Sequence, residues 1–248
     1  MSGPARDLAI VGDVHLDRGD PAVPEFVRFL EAIAETAGRI VLAGDLFDLW
    51  IGRPELEGPH HLEVAAALAG LRRGGTVVRY VEGNRDYRVG DLHAGTAFDE
   101  VSESGVVERV PGGTLLAVHG DRVDRADRLY RAWRAISRTR AAWLLFHAIP
   151  RDRRLGVAEG LRRRLGHGAR RYRSAFPEGE IRRFAAGAFR AGHAAVAIGH
   201  FHVERDLEAE PPSPPGRILA LPEWKGSRRY LRVGEDGRPS FAGGGEAG

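Results

Sequence analysis

Five short stretches of this 248-residue chain concentrate carboxylates, imidazoles and one amide: GDVHLD (12–17), GDLFDLW (44–50), GNRD (83–86), HGD (119–121) and GHFH (199–202). Asp, His and Asn side chains form a hard-to-borderline donor set that suits Mn²⁺, iron or Zn²⁺. Asp13 and His15 are two apart in an extended segment and project to the same side, as do His200 and His202. A glycine beside each motif permits a tight turn and a close backbone approach. Taken singly, each motif is weak, because a lone Asp-x-His or His-x-His is usually a solvated loop. Five of them in one chain, each closing a strand pattern, are not accounted for that way. The candidate ligands are Asp13, His15, Asp45, Asn84, His119, His200 and His202.

The strand patterns are Asp7–Asp13, Arg39–Asp45, Thr76–Gly83, Gly113–His119 and Ala194–His200. Phe26, Phe29, Leu30 and Ile33 recur at helical spacing between the first two, Leu62–Leu71 reads as a helix after the second, and Gly179–Arg190 as another before the last. Strands alternating with helices predict a layered α/β sheet protein, and ligands of such sheets bind beyond the carboxyl ends of the strands. Between residues 122 and 176 the strand pattern stops. Leu129, Trp133 and Ile136 keep helical spacing there, and Trp143–Phe146 forms a compact apolar cluster. This segment reads as an inserted helical cap. The expected division is a core of residues 1–121 and 177–240, a cap of 122–176 and a flexible tail of 241–248. Pro211–Gly216 reads as a loop between late strands.

Charge is unevenly spread. Residues 122–176 hold 16 of the 37 basic residues and only 4 of the 34 acidic ones, so the cap carries +12 against −9 elsewhere. Such a concentration points either to an anionic partner or to a solvated helical face. The cap's Trp133, Trp143, Leu144, Leu145 and Phe146 read either as helix–helix core or as a chamber for acyl chains. With no cysteine, disulfides and thiolate metal sites are excluded. No window approaches the roughly 18 apolar residues of a membrane span. MSGPARDLAIVGD runs almost directly into a strand rather than reading as a signal peptide, so a cytoplasmic location is the default expectation.

The ordered motif set resembles that of the calcineurin-like metallophosphoesterases, over about residues 9–202. The resemblance implies a layered β-sandwich flanked by helices and two metal ions. Asp13, His15 and His202 would hold the first, Asn84, His119 and His200 the second, and Asp45 would bridge them. Two ions roughly 3.5–4 Å apart can bind a bridging hydroxide as nucleophile and clamp phosphoryl oxygens. The usual third motif is GNHD, whereas this chain has Arg85. That change, with GDLFDLWIG, resembles one subfamily, the UDP-2,3-diacylglucosamine pyrophosphatases of lipid A synthesis. Asp127 and Tyr130 (DRLYRAWR) and Trp224 in LPEW, expected in a late strand, also fit it.

The subfamily implies Mn²⁺-dependent hydrolysis of an acylated nucleotide diphosphate to UMP and 2,3-diacylglucosamine 1-phosphate. It also implies peripheral contact with the inner face of the cytoplasmic membrane. Asp45, Asn84, Arg85 and His119 would be catalytic, and Asn84, Arg85, Asp127, Tyr130 and His200 would bind substrate. The subfamily's Ser/Asn/Lys cap pattern is not recognisable, and Arg170, Arg171 and Arg173 occupy that neighbourhood. GHFH replaces the usual GHTH, with Phe201 expected to point into the core. Asp86 and Asp121 read as carboxylates supporting the ligands, Asp121 alternatively as a turn former. Asp48 and Trp50 read as packing and capping residues, and His60, His61, His93, His147, His167 and His193 as surface or structural. The competing readings are a phosphodiesterase or phosphatase acting on a soluble nucleotide, and nucleic-acid binding through the cap. No nucleic-acid-binding motif is present, which disfavours the latter.

Overall fold

The computed structural model describes residues 7–123, 128–165, 176–211 and 213–243. Strand alternation splits the first strand, β1 (Asp7–Val11), between two cores. Ala9 and Val11 face a helical layer, while Leu8 and Ile10 face a second sheet. A slip of one residue would exchange the two sets, so register is fixed on both sides. The larger sheet has six strands in the order β13-β12-β1-β2-β4-β6. These are β2 (Ala37–Leu42), β4 (Val77–Val81), β6 (Glu100–Ser102), β12 (Arg229–Val233) and β13 (Pro239–Gly243) around β1. The other sheet runs β10-β11-β9-β8-β7, from β7 (Val106–Val110), β8 (Gly113–Val118), β9 (Ala195–Ile198), β10 (Arg205–Glu208) and β11 (Arg217–Ala220).

Leu8, Ile10, Val41, Leu115, Ala197 and Leu219 fill the space between the sheets. Outside the larger sheet lie α1 (Ala22–Thr36) and α2 (Pro59–Arg73), which bury Phe26, Leu30, Ile33, Val64 and Leu68. A later helix, Glu178–Arg190, covers the other sheet with Ile181, Ala185 and Phe189. Each large apolar side chain so buried contributes about 1.5–3 kcal/mol. The result is the expected layered α/β sandwich.

A two-stranded ribbon, β3 (Trp50–Ile51) with β5 (Asp86–Tyr87), ties the second motif to the third. Neither strand is visible as a pattern in the sequence, since two residues are too few to alternate. Two further expectations need correction. Residues 241–243, assigned to a flexible tail, belong to β13, which pairs antiparallel with β12 from Arg229↔Gly243 to Val233↔Pro239. Pairing supplied by the neighbouring strand, not local propensity, makes this segment a strand. Trp224 opens a short helix (Trp224–Ser227) rather than lying in a strand; its ring packs on Phe26 and Phe29.

The segment expected to form a cap is helical where it is described. After α3 (Gly90–His93) in the core come α4 (Arg128–Ser137), α5 (Arg140–Ala148) and α6 (Arg151–Leu165). Among the described residues no helix is long and apolar enough to cross a membrane. Much of the cap's positive charge is met within the chain. Arg134 donates to Asp121 at 2.7 Å, Arg138 to Glu82 at 2.8 Å, Arg154 to Glu55 at 2.6 Å and Arg162 to Asp17 at 2.7 Å. Trp143 is half-buried, with the guanidinium groups of Arg53 and Arg88 over its ring. Leu144 and Leu145 point outward, 69% and 71% exposed, so the helix–helix core reading does not extend to them.

The Arg138 clamp is the most buried of the four. Its side chain is 9% exposed and that of Glu82 3%, and it also donates to the carbonyls of Gly83 at 2.6 Å and Asp86 at 2.5 Å. Arg138→Met should strand the Glu82 carboxylate beneath the cap. Losing one partner of a buried pair costs about 3–5 kcal/mol, which a urea melt of the metal-free protein would read. A loss under about 1 kcal/mol, the scale of surface pairs, would mean that this clamp does not dock the cap.

Candidate metal centre

β1, β2 and β4 run parallel in one sheet, as do β8 and β9 in the other, and their carboxyl ends carry the five motifs to one edge. The loop after β1 is pinned to the loop after β2: Asp13 N–H donates to Gly44 O at 3.2 Å, and His15 N–H to Asp45 O at 3.0 Å. Gly83 has to be glycine, because a Cβ there would stand 2.2 Å from Asp45 Oδ1. Seven non-glycine residues among those described have positive φ, and five are candidate ligands: Asp13, His15, Asp45, His200 and His202, so the Asp13–His15 and His200–His202 segments are not extended as expected but left-handed at each ligand. Each such conformation costs on the order of 1–3 kcal/mol and persists only where the surroundings impose it.

Two groups of donor atoms result, each within 4.8 Å: Asp13, His15 and His202, and Asp13, Asp45 and His119. In the first, the two Nε2 atoms of His15 and His202 lie 3.2 Å apart. Asp13 Oδ1 is 3.9 Å from the former and 3.4 Å from the latter. In the second, His119 Nε2 lies 2.9 Å from Asn84 Oδ1 and 3.7 Å from Asp45 Oδ2. His119 Nδ1 donates to Ala43 O at 2.9 Å. A carbonyl can only accept, so in the neutral ring Nε2 turns a lone pair toward two more acceptors. His200 sits beside this group, its ring 5.1 Å from that of His119, and its N–H donates to Asp13 Oδ2 at 2.7 Å.

Ligand atoms crowded at 2.9–3.9 Å from one another, and a buried Asp13 Oδ1 with no hydrogen-bond partner, are what a cation would resolve. Burial pushes His15 well below its usual range and His200 down to about 3, leaving both as the neutral imidazoles that metals bind. Burial also acts to lower His202, but the Asp13 carboxylate overcomes it and lifts this group to about 10. The residues fit a divalent metal cluster.

The resemblance has Asp45 bridging both ions; here Asp45 lies in the group with His119, and Asp13 is common to both groups. Arg85 N–H donates to Asp45 Oδ1 at 2.9 Å and Arg85 Nε lies 3.5 Å from Oδ2.

Three carboxylates support the centre: Asp86, which was expected to, and Asp48 and Glu223, which were not. Asp86, lifted to about 7 by burial and the neighbouring Asp45, accepts from Asp45 N–H at 3.0 Å, Gly83 N–H at 2.7 Å and Tyr80 O–H at 2.7 Å. It thus fixes the backbone that presents Asp45, and it does not pair with Arg85. Asp48, read as a capping residue, instead accepts from Arg85 Nη1 at 3.2 Å. Glu223, just before Trp224, lies 3.8 Å from His202 Nδ1. The acid in GDLFD, three residues beyond Asp45, was the available signal for Asp48. Asp121 is taken up by Arg134 of the cap, while Phe201 is fully buried as expected. His61 and His93 are buried and structural: His61 Nδ1 accepts from Gly58 N–H at 3.0 Å, and His93 pairs with Glu57 at 2.5 Å. Asp127, Arg170, Arg171, Arg173, His167 and the side chain of Tyr130 lie outside the described residues.

No family model matches the chain. It is 35% identical over 163 residues to the UDP-2,3-diacylglucosamine hydrolase of Ralstonia nicotianae, covering 65% of this chain and 60% of that one. It is 28% identical over 232 residues to the protein of the same name from Chromohalobacter salexigens, covering 93% and 94%. The chain therefore spans less than two thirds of the first relative's length but nearly all of the second's. Among solved structures, a conserved, uncharacterised Streptococcus pneumoniae protein described as a predicted phosphoesterase superimposes with a TM-score of 0.47 at 15% identity, over 97% of this chain and 90% of that one. The chain is thus similar in sequence to proteins named UDP-2,3-diacylglucosamine hydrolase.

Proposed function

We propose that this chain is a dinuclear metal-dependent hydrolase that cleaves UDP-2,3-diacylglucosamine to UMP and 2,3-diacylglucosamine 1-phosphate. The observation that carries the reading is the convergence of donors from four strand ends on two adjacent groups sharing Asp13, with Asn84 from a fifth beside His119. Asp13, His15 and His202 would hold one Mn²⁺, and Asp45, Asn84, His119 and His200 the other. Bound there, the two ions supply Lewis acidity at the phosphoryl oxygens and lower the pKa of an attacking water.

The protein's own groups do the rest. Arg85 carries a buried guanidinium beside Asp45, matched to the bidentate geometry of a diphosphate. Asn84 and His200 border the second group and are assigned to orient the phosphoryl group. Asp127 and Tyr130 are assigned to substrate binding by their position in the sequence after HGD. An acylated substrate also needs an apolar approach. The cap helices offer exposed apolar side chains, Ile136, Leu144 and Leu145 at 63%, 69% and 71% exposure, with basic Arg140 on the same helix as the two leucines. That surface supports peripheral contact with the cytoplasmic face of the inner membrane.

The test is turnover of UDP-2,3-diacylglucosamine in mixed detergent micelles against UDP-N-acetylglucosamine in buffer, both with Mn²⁺. The acylated substrate should be cleaved at least about 100-fold faster, in a detergent-dependent and EDTA-sensitive way. The expected gap is about 2.7 kcal/mol of transition-state binding, which burial of about 110 Å² of acyl surface would supply. Equal rates, indifferent to detergent, would establish the soluble-nucleotide reading instead.

A further inference from the structure

We infer that Asp48 is a positioning residue, one carboxylate that orients both the metal-facing imidazole of His15 and the guanidinium of Arg85. The inference rests on the metal reading above.

His15 turns Nε2 toward Asp13 and His202, which leaves Nδ1 on the outer side of the ring. That nitrogen is buried and has no hydrogen-bond partner. Asp48 Oδ1, 3.7 Å away, is the one acidic oxygen within ion-pair distance of it among the described residues. A ligating histidine commonly gives its outer N–H to a carboxylate, which fixes the ring and raises its basicity. His202 has the same arrangement, with Glu223 behind its Nδ1 at 3.8 Å. The two imidazoles of the first group are thus each backed by an acid.

Asp48 serves a second group at the same time. Arg85 Nη1 donates to Asp48 Oδ1 at 3.2 Å and to its main-chain carbonyl at 3.3 Å. The main chain reinforces this, since Trp50 N–H donates to Arg85 O at 2.9 Å across the β3–β5 ribbon. Asp48 and Arg85 are therefore held at fixed separation by backbone as well as side chain. Arg162, on α6 of the cap, comes to 4.0 Å from Asp48 Oδ2 while pairing with Asp17 at 2.7 Å. The carboxylate consequently stands where the metal centre, the anion-facing arginine and the cap meet. With its side chain 30% exposed, it is no core-packing residue.

The test compares Asp48→Asn, Asp48→Glu and the control Asp17→Asn in the full chain. Mn²⁺ binding is followed by calorimetry and electron paramagnetic resonance, stability by thermal melts of the metal-free protein, and turnover on diphosphate substrate. Asp48→Asn should bind one Mn²⁺ equivalent about 10- to 100-fold more weakly, the usual cost of losing such a support. At saturating Mn²⁺ it should still lower kcat, because Arg85 is released as well, with little change in the metal-free melt. Asp48→Glu should recover part of both losses. Asp17→Asn, which loosens only the Arg162 contact, should keep wild-type Mn²⁺ affinity. Wild-type affinity and kcat in Asp48→Asn would overturn the inference. So would a melt lowered as much as by Arg138→Met, since that marks a merely structural role. Failure of wild-type protein to bind Mn²⁺ would instead overturn the metal reading on which this rests.

Discussion

Asp45→Asn should keep the fold, lose at least about 1000-fold in turnover and bind fewer than two Mn²⁺ per chain. Asparagine is the informative replacement. Asp45 has a φ of 52°, in the left-handed region that Asn tolerates and Ala resists. The amide oxygen can still accept the Arg85 N–H that now reaches Oδ1 at 2.9 Å. What disappears is the negative charge. Charge stabilisation by a metal supplies several kcal/mol to the transition state, and each 1.36 kcal/mol is a factor of ten in rate.

The same substitution makes an opposite prediction for stability. Burial raises the Asp45 carboxyl despite His119 and Arg85 nearby. A carboxyl raised on folding opposes folding once the pH exceeds its unfolded value, and that opposition grows until the folded group ionises. Removing the charge should therefore raise the melting temperature of the metal-free protein near neutral pH. Asp13→Asn gives the contrast. Asp13 belongs to both donor groups, and its carboxyl is held below the usual range because its histidine neighbours outweigh burial. This variant should lose both ions and gain no stability. Two tightly bound Mn²⁺ with intact activity in Asp45→Asn would refute the assigned centre.

Much of this was legible in the sequence because the signals are local. Strands β1, β2, β4, β8 and β9 are short apolar runs, each followed within one to three residues by the first candidate ligand of a polar motif. Helices α1 and α2 announce themselves by periodicity. The less legible features depend on contacts distant in sequence. β13 is a strand because β12 pairs with it, and PSFAG alone carries no alternation to say so. The β3–β5 ribbon brings Trp50 to Asp86 through two-residue segments, too short for any period. The cap's charge read equally as an anion site or a solvated face. Its partners, Asp17, Glu55, Glu82 and Asp121, sit 13 to 145 residues from the arginines they meet. Spacing within the cap could not reveal them. Asp48 was read as a cap for a related reason, since its role exists only once the third motif folds beside the second.

Arg85 should make the enzyme selective for leaving groups that need no proton. Its side chain is 7% exposed and the guanidinium lies between Asp45 and Asp48, 3.5 Å from the one and 3.2 Å from the other. An alcohol's pKa is comparable with that of water, about 15.7, so expelling an alkoxide near neutral pH calls for a proton donor. Arginine stays protonated throughout the accessible range and cannot be that donor. A sugar 1-phosphate leaves without help, because the second pKa of a phosphate monoester is about 6. Diphosphates should therefore be cleaved at least about 1000-fold faster than unactivated alkyl phosphodiesters, a gap of about 4 kcal/mol. Arg85→His tests the assignment from the other side. Imidazole can give up a proton but loses the bidentate fork, so this variant should fall on diphosphates by about 100-fold or more, roughly the loss of one transition-state donor. Relative to wild type it should improve on substrates with poor leaving groups, narrowing the ratio from both ends. Because Asp48 and Asp45 lose their fixed cation in the same variant, bound Mn²⁺ is to be measured alongside turnover. A drop on both substrate classes in parallel, with Mn²⁺ retained, would show Arg85 to be only a partner for the loop carboxylates.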